Sequence, residues 1–191
     1  MNHIKFNTIT STNNFLKSYS KEKKLPNFFY VQTDSQTQGR GQRANHWDSA
    51  CCENILISFL VFPNFNVKKQ YLLNHIVSIA LVNVLRQFKV INAKIKQPND
   101  IMADNKKISG ILIENVIQNQ SIKQSIIGIG LNVNQTMFIE LPNAISMKNI
   151  TGLTYSLDEI VQVLKQELIE LFGQDESTLK KMYQQIERYE V

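Results

Sequence analysis

Residues 36–47 read Gln-Thr-Gln-Gly-Arg-Gly-Gln-Arg-Ala-Asn-His-Trp, a stretch with two glycines, two arginines and no large aliphatic side chain. Arg40 and Arg43 offer forked donors that match a carboxylate or phosphate. Gly39 and Gly41 free the backbone to approach a ligand closely and to take positive φ. That make-up suits a loop that grips an anion. A solvated, mobile hairpin loop has the same composition, and composition alone does not separate the two.

Two further stretches carry side chains capable of chemistry. In Lys96-Gln97-Pro98-Asn99-Asp100 a strand must break at Pro98, and Asn99 and Asp100 are turn formers, so Lys96, Asn99 and Asp100 are expected on a tight bend at a sheet end. Asn105-Lys106-Lys107 reads as a hairpin tip leading into the apolar run from Ile108 to Glu114, a buried strand opened by a lysine. Within it, Gly110 marks a bulge or a place where something packs against bare backbone. Gly128-Ile129-Gly130-Leu131-Asn132-Val133-Asn134 closes a strand expected over 122–134. Its glycines are a weak nucleotide signal, because no third glycine and no helix follow, and no Walker-type Gly-x-x-x-x-Gly-Lys occurs. His3, His46 and His75 show neither zinc spacing nor a Ser-His-Asp pattern, and Cys51-Cys52 has no base in sequence reach. No metal site and no protein nucleophile are expected.

Strands and helices must position these groups. Ile4, Phe6 and Ile9 begin an alternation that ends in Thr10-Ser11-Thr12-Asn13-Asn14, a run suited to capping a helix that carries Phe15, Leu16 and Tyr19. Taken alone, that run is an N-cap. Strands are predicted over 28–31 and 55–62, on either side of the Gly/Arg loop, the second too continuously apolar for a sheet edge. Apolar residues from Leu72 to Leu85 keep helical spacing and predict a core helix over 67–88. Ser156 and Glu159 form a capping-box pattern before an amphipathic helix that closes near Gly173, and a more polar helix is predicted over 177–189.

The whole chain, 191 residues and 22.0 kDa, fits one domain that buries a core without disulfides. Hydrophobic residues make up 43%, and no apolar run approaches membrane-spanning length. The N-terminus lacks the apolar segment of a signal peptide, and two adjacent cysteines cannot staple distant segments, so the cytoplasm is the expected compartment. The net charge of +5 is spread along the sequence. Only Lys21, Lys23 and Lys24 cluster, which reads as an exposed helix end rather than a nucleic-acid patch.

Loop, bend and strands together resemble the catalytic domain of bacterial biotin protein ligases. The matching motifs, in the order of that family, are Ser11-Thr12-Asn13, the Gln36–Trp47 loop, Lys96-x-Pro98-Asn99-Asp100, Lys107 to Glu114, and Gly128 to Asn134. The match runs over about residues 4–134, with the helices at about 156–189 agreeing in kind. The resemblance implies an α+β fold in which a mixed, mainly antiparallel sheet is packed by helices. It also implies a two-step reaction on biotin and ATP, with Mg2+ accompanying the ATP. Biotin carboxylate attacks the α-phosphate to give biotinyl-adenylate and pyrophosphate. A lysine of a biotin carboxyl carrier protein, as in acetyl-CoA carboxylase, then takes the acyl group and releases AMP.

By the same resemblance, Ser11, Thr12, Asn13, Gln36, Gly39, Arg40, Gly41 and Gln42 face biotin. Gly110 gives the valeryl chain a bare strand to lie on, and Lys107 reaches the carboxylate and the α-phosphate. Arg40 and Arg43 are further candidate cations, and Arg43, Trp47, Asn99 and Asn132 belong to the nucleotide side. Asp100 orients or deprotonates the incoming amine, or only caps the bend; Asn132 faces nucleotide, or only pairs with backbone at a strand end. A labile acyl-adenylate requires that water be excluded, so the Gly/Arg loop is expected to be mobile when empty and to close over ligand.

The chain departs from the family pattern at Gln42 and Ala44, where arginine and glycine are usual, with Arg43 as a candidate substitute. Gln97 stands for a tryptophan, and Cys51-Cys52 for a Pro-Gly-like turn. The sequence starts at the catalytic domain and stops at Val191, so neither an N-terminal DNA-binding domain nor a C-terminal barrel domain is expected. Nucleic acid and membrane are therefore not expected partners, and the oligomeric state is left open. A ligase-derived domain that binds biotin with little turnover is one alternative. A lipoate ligase or octanoyltransferase is another, although the Arg-Arg-x-Ser-Gly-Gly-Gly signature is absent.

Overall fold

The computed structural model describes residues 2–42, 45–139 and 141–189. The chain forms two compact units, Met1–Gln70 with Ile111–Gly130, and Tyr71–Gly110 with Leu131–Val191.

In the first unit, β1 (His3–Ile9) pairs parallel with β2 (Phe29–Gln36), and β2 pairs antiparallel with β3 (Ile55–Val61). The order continues through β8 (Ser121–Leu131) to β7 (Lys106–Gln118), and the two-residue β4 (Phe65–Asn66) pairs with β8. All seven residues of β3 are buried, as its unbroken apolar run demands of a central strand. Helix α1 (Thr12–Glu22) packs on β2 and β3. Leu16 meets Phe29, Val31, Leu60 and Ile126, and Phe6, Phe15 and Tyr19 close over that cluster. The Lys21, Lys23 and Lys24 cluster is exposed at the end of α1.

Strand β2 continues to Gln36, five residues past the predicted end. Gln32 and Thr33 are buried although polar, because ladders from β1 and β3 hold their backbone on both sides. The apolar pattern stops at Val31, but the hydrogen-bonded strand does not.

In the second unit, β5 (Lys94–Lys96) pairs with β6 (Asp100–Ala103), which pairs with the start of β7. Helix α2 (Tyr71–Gln87) is buried almost all round, with α4 (Leu157–Phe172) and α5 (Glu176–Gln185) against it. Residues 67–69 form a separate 3-10 turn rather than the first turn of α2. His75, given no metal role, stacks on Tyr183 with ring centroids 3.7 Å apart, and burial lowers its pKa. No helix among the described residues is long and apolar enough to cross a membrane.

Two expectations for the C-terminal third need correction. The last helix ends at Gln185, because Ile186–Tyr189 leaves it to pair with β5: Ile95 donates to Glu187, Tyr189 donates to Ile95, and Lys94 Nζ lies 2.8 Å from the Glu187 carboxylate. The capping box predicted at Ser156 has only its hydroxyl half, the oxygen accepting from Glu159 N–H. Both halves occur instead at Ser146 and Asn149, at the start of the unforeseen helix α3 (Met147–Thr151).

Candidate functional site

Helix α1 begins with Ser11 as N-cap, its Oγ accepting from Asn14 N–H. The next two side chains are buried against the sheet. Thr12 donates to Gln36 Oε1 through its backbone N–H (2.8 Å) and its hydroxyl (3.1 Å). A backbone N–H can only donate, so the Gln36 atom facing it must be the oxygen, and the NH2 end points away, over Gly39. Ser58 Oγ, on β3, is 2.8 Å from Thr12 Oγ1 and 2.5 Å from Asn13 Oδ1. The amide nitrogen of Asn13 donates to Glu114 Oε2 (2.9 Å) and to the Leu112 carbonyl (3.4 Å).

The Gly/Arg stretch folds back on itself. Trp47 N–H donates to Gly39, Gly41 N–H to Asn45, and Arg40 bridges His46, so residues 39–41 and 45–47 run as the two arms of a narrow antiparallel ribbon. Arg43 and Ala44 lie outside the described residues. A Cβ on Gly39 would come within 2.4 Å of the Trp47 carbonyl oxygen, so close approach requires glycine there. The expected positive φ is found at neither Gly39 nor Gly41, and a Cβ on Gly41 would meet nothing nearer than 3.5 Å.

Arg40 Nη2 reaches Glu114 Oε2 at 2.9 Å, and Lys17 Nζ reaches Glu114 Oε1 at 3.0 Å. Burial alone would raise the Glu114 pKa. The hydrogen bonds from Asn13 and Lys17 and the charges of Arg40 and Lys17 outweigh it and hold the carboxyl below its usual range.

The two glycines of β8, a weak nucleotide signal in sequence, have a packing reason. A Cβ on Gly128 would lie 2.3 Å from Asn13 Oδ1, and one on Gly130 would lie 2.3 Å from the Trp47 indole. They accommodate an amide and a ring of the same unit.

In the second unit, Lys107 Nζ and Asp100 Oδ1 are 2.7 Å apart, with side chains 36% and 23% exposed. Backbone fixes both ends of this pair. Lys107 donates to Asn143 and accepts from Ile145, while Asp100 sits opposite buried Gly110 in the β6–β7 ladder. That ladder shifts register between Ile101 and Met102, whose partners are Ser109 and Lys107, so the extra residue is Ile108 rather than Gly110. Asn99 is half-buried in the turn before β6. Strand β8 ends at Leu131, and buried Asn132 donates its side-chain N–H to the Ile145 carbonyl, the strand-end pairing foreseen as one of its two roles. Among the described residues no three His, Cys, Asp or Glu side chains converge as a metal-binding group.

Residues 5–132 match the model of the biotin/lipoate A/B protein ligase family. The chain belongs to that family. It is 30% identical over 133 residues to the bifunctional ligase/repressor BirA of Bacillus subtilis, covering 70% of this chain and 41% of that protein. It is 29% identical over 107 residues to the human biotin–protein ligase, covering 53% of this chain and 15% of that one. The chain thus spans well under half of these curated relatives. Among solved structures, biotin protein ligase of Aquifex aeolicus in complex with biotin and ATP superposes with a TM-score of 0.74 at 27% identity, over 97% of this chain and 73% of that one. The Leishmania major enzyme in complex with biotinyl-5-AMP has a TM-score of 0.83 at 18% identity, over 100% and 83% of the two chains, a likeness of fold. The biotin/lipoate A/B protein ligase match stops at Asn132, but the structural likeness covers 97% of the chain. The expected mixed, mainly antiparallel sheet with packed helices is the fold of these relatives.

Sequence reasoning gave Glu114 a place in a motif but no role, and overlooked Ser58. The signal for Ser58 was available: one hydroxyl interrupts an otherwise wholly apolar strand, and a buried hydroxyl needs a partner.

Proposed function

We propose that residues 1–191 are a biotin protein ligase catalytic domain. It joins biotin to a lysine of a biotin carrier protein, such as the biotin carboxyl carrier protein of acetyl-CoA carboxylase, while ATP is converted to AMP and pyrophosphate. Two exposed free thiols, Cys51 and Cys52, suit the reducing cytoplasm. The observation that carries the reading is the Thr12–Gln36 contact. It turns the Gln36 NH2 away from Thr12, which supports that group as a donor for the ureido carbonyl, with Ser11 and the Arg40 backbone serving the ring N–H groups. A pocket that pairs every polar atom of that ring rejects analogues lacking them. The dithiolane of lipoate has no carbonyl for Gln36 to meet.

In the first step a biotin carboxylate oxygen bonds to the α-phosphorus of ATP and pyrophosphate leaves. Two anions approach, so a cation is required where negative charge accumulates. Lys107 takes that role. Its ion pair with Asp100 is partly exposed, which lets the ammonium exchange a carboxylate for a phosphate oxygen. In the second step the carrier amine attacks the acyl carbon, the bond to the adenylate oxygen breaks, and the amine gives up a proton. Asp100, freed from Lys107, orients that amine. Gly110 provides bare strand for the valeryl chain. Arg43, Trp47 and Asn99 serve the nucleotide, Asn132 braces the backbone beside it, and magnesium enters as the counterion of ATP. The 39–47 ribbon closes over the adenylate and keeps water from it.

Biotin-dependent exchange of labelled pyrophosphate into ATP tests the first step without requiring knowledge of the carrier. Exchange supports the ligase. Biotin binding by calorimetry without exchange supports a second reading, favoured by Gln42 in the place of an arginine: a biotin-binding relative with little turnover. Neither binding nor exchange overturns both.

A further inference from the structure

We infer that Glu114 is a positioning residue of the biotin site: one carboxylate ties the Gly/Arg ribbon, through Arg40, to the start of α1, through Asn13 and Lys17. The inference rests on the ligase reading for its consequence and on geometry alone for the tie. Three elements converge on this group. Oε2 accepts from Arg40 Nη2 and from Asn13 Nδ2, each at 2.9 Å, and Oε1 accepts from Lys17 Nζ at 3.0 Å. Asn13 in turn bonds Ser58, which reaches Thr12, and Thr12 fixes the Gln36 amide. Glu114 therefore sits at one end of a chain of contacts whose other end is the proposed ureido donor.

The side-chain exposures argue for orientation over stability. Arg40 is 42% exposed and Lys17 46%, and ion pairs open to water contribute little to folding. Glu114 itself is only 20% exposed. Its two oxygens accept from three donors between them, which a neutral carboxamide cannot reproduce, since a glutamine offers a single oxygen and would turn its NH2 toward one of the cations. Removing the charge should loosen the ribbon while leaving the fold in place.

The test compares Glu114→Gln, Glu114→Asp and wild type. Without ligand, trypsin should cleave after Arg40 roughly fivefold faster in Glu114→Gln, because the open ribbon is more populated. The dissociation constant for biotin, by calorimetry, should rise about tenfold with little change in melting temperature, and Glu114→Asp, which keeps the charge, should recover part of both effects. In an Arg40→Ala background the Glu114→Gln effect on biotin should shrink to less than about twofold, since the partner is already gone. An unchanged cleavage rate together with unchanged biotin affinity would overturn the inference. So would an equal Glu114→Gln effect on biotin with and without Arg40, which would mean that Glu114 acts elsewhere. If wild type fails to bind biotin, the ligase reading falls, while the cleavage rate still reports whether Glu114 holds Arg40.

Discussion

The first unit and the second hold their polar groups in opposite ways. Around Thr12, Asn13, Ser58 and Gln36 the side chains are buried or nearly so, and each amide is turned by a partner that can only donate or only accept. Around Lys107 and Asp100 an ion pair, partly open to solvent, rests on a backbone fixed by its neighbours. A rigid set of dipoles selects a shape, and a loosely engaged charge stabilises an anion that appears only during reaction. On the proposed ligase reading, recognition falls to the first unit's residues and charge stabilisation to the second's.

Substitutions can break or sharpen that contrast. The largest effect is expected from Lys107→Ala, which should lower pyrophosphate exchange by ~10²- to 10³-fold, as loss of one electrostatic stabiliser does elsewhere. Its melting temperature should stay near that of wild type, because a third of the side chain is already in solvent. Near-normal exchange would remove Lys107 from the chemistry. Gln36→Ala should instead weaken biotin binding by about 10- to 100-fold and leave exchange at saturating biotin less affected, since the pocket loses a donor and strands the Thr12 N–H. Equal losses in both quantities would erase the division of labour.

Stability separates the sites further. Gly128→Ala should cost about 1–3 kcal/mol in chemical denaturation, because the new methyl meets the fixed Asn13 amide. Gly41→Ala has room for its methyl and should stay within ~0.5 kcal/mol of wild type. The smallest effect concerns pH. Glu114 has a folded pKa below its unfolded value, so its contribution is present above the ordinary carboxylate range and is lost as pH falls through the folded pKa. The stability gap between wild type and Glu114→Gln, roughly a few tenths of a kcal/mol at neutral pH, should therefore close on acidification. A gap that widens toward low pH would contradict the sign of the shift.

The sequence made elements legible where hydrophobic period and capping agree: β3, α1 and α4 fall close to their predicted spans. It failed where backbone pairing outruns the apolar pattern, as in the second half of β2, or where a tail leaves a helix to join a strand, as at Ile186–Tyr189. Neither event leaves a mark on local periodicity. The Lys107–Asp100 pair lay within two recognisable motifs, but a contact between side chains seven positions apart depends on a hairpin register that includes a bulge. The tie from Glu114 to Arg40 spans 74 positions, and nothing local announces it.

Gly128 and Gly130 stand two residues apart, on one face of a strand, beneath an amide from the helix start and an indole from the ribbon end. They work as a pair of keyholes of different shape. A slip of α1 that brought Thr12 to the first, or a slip of the ribbon that brought His46 or Asp48 to the second, would seat a side chain of another shape there. The strand thereby checks the alignment of two segments that are far apart in sequence.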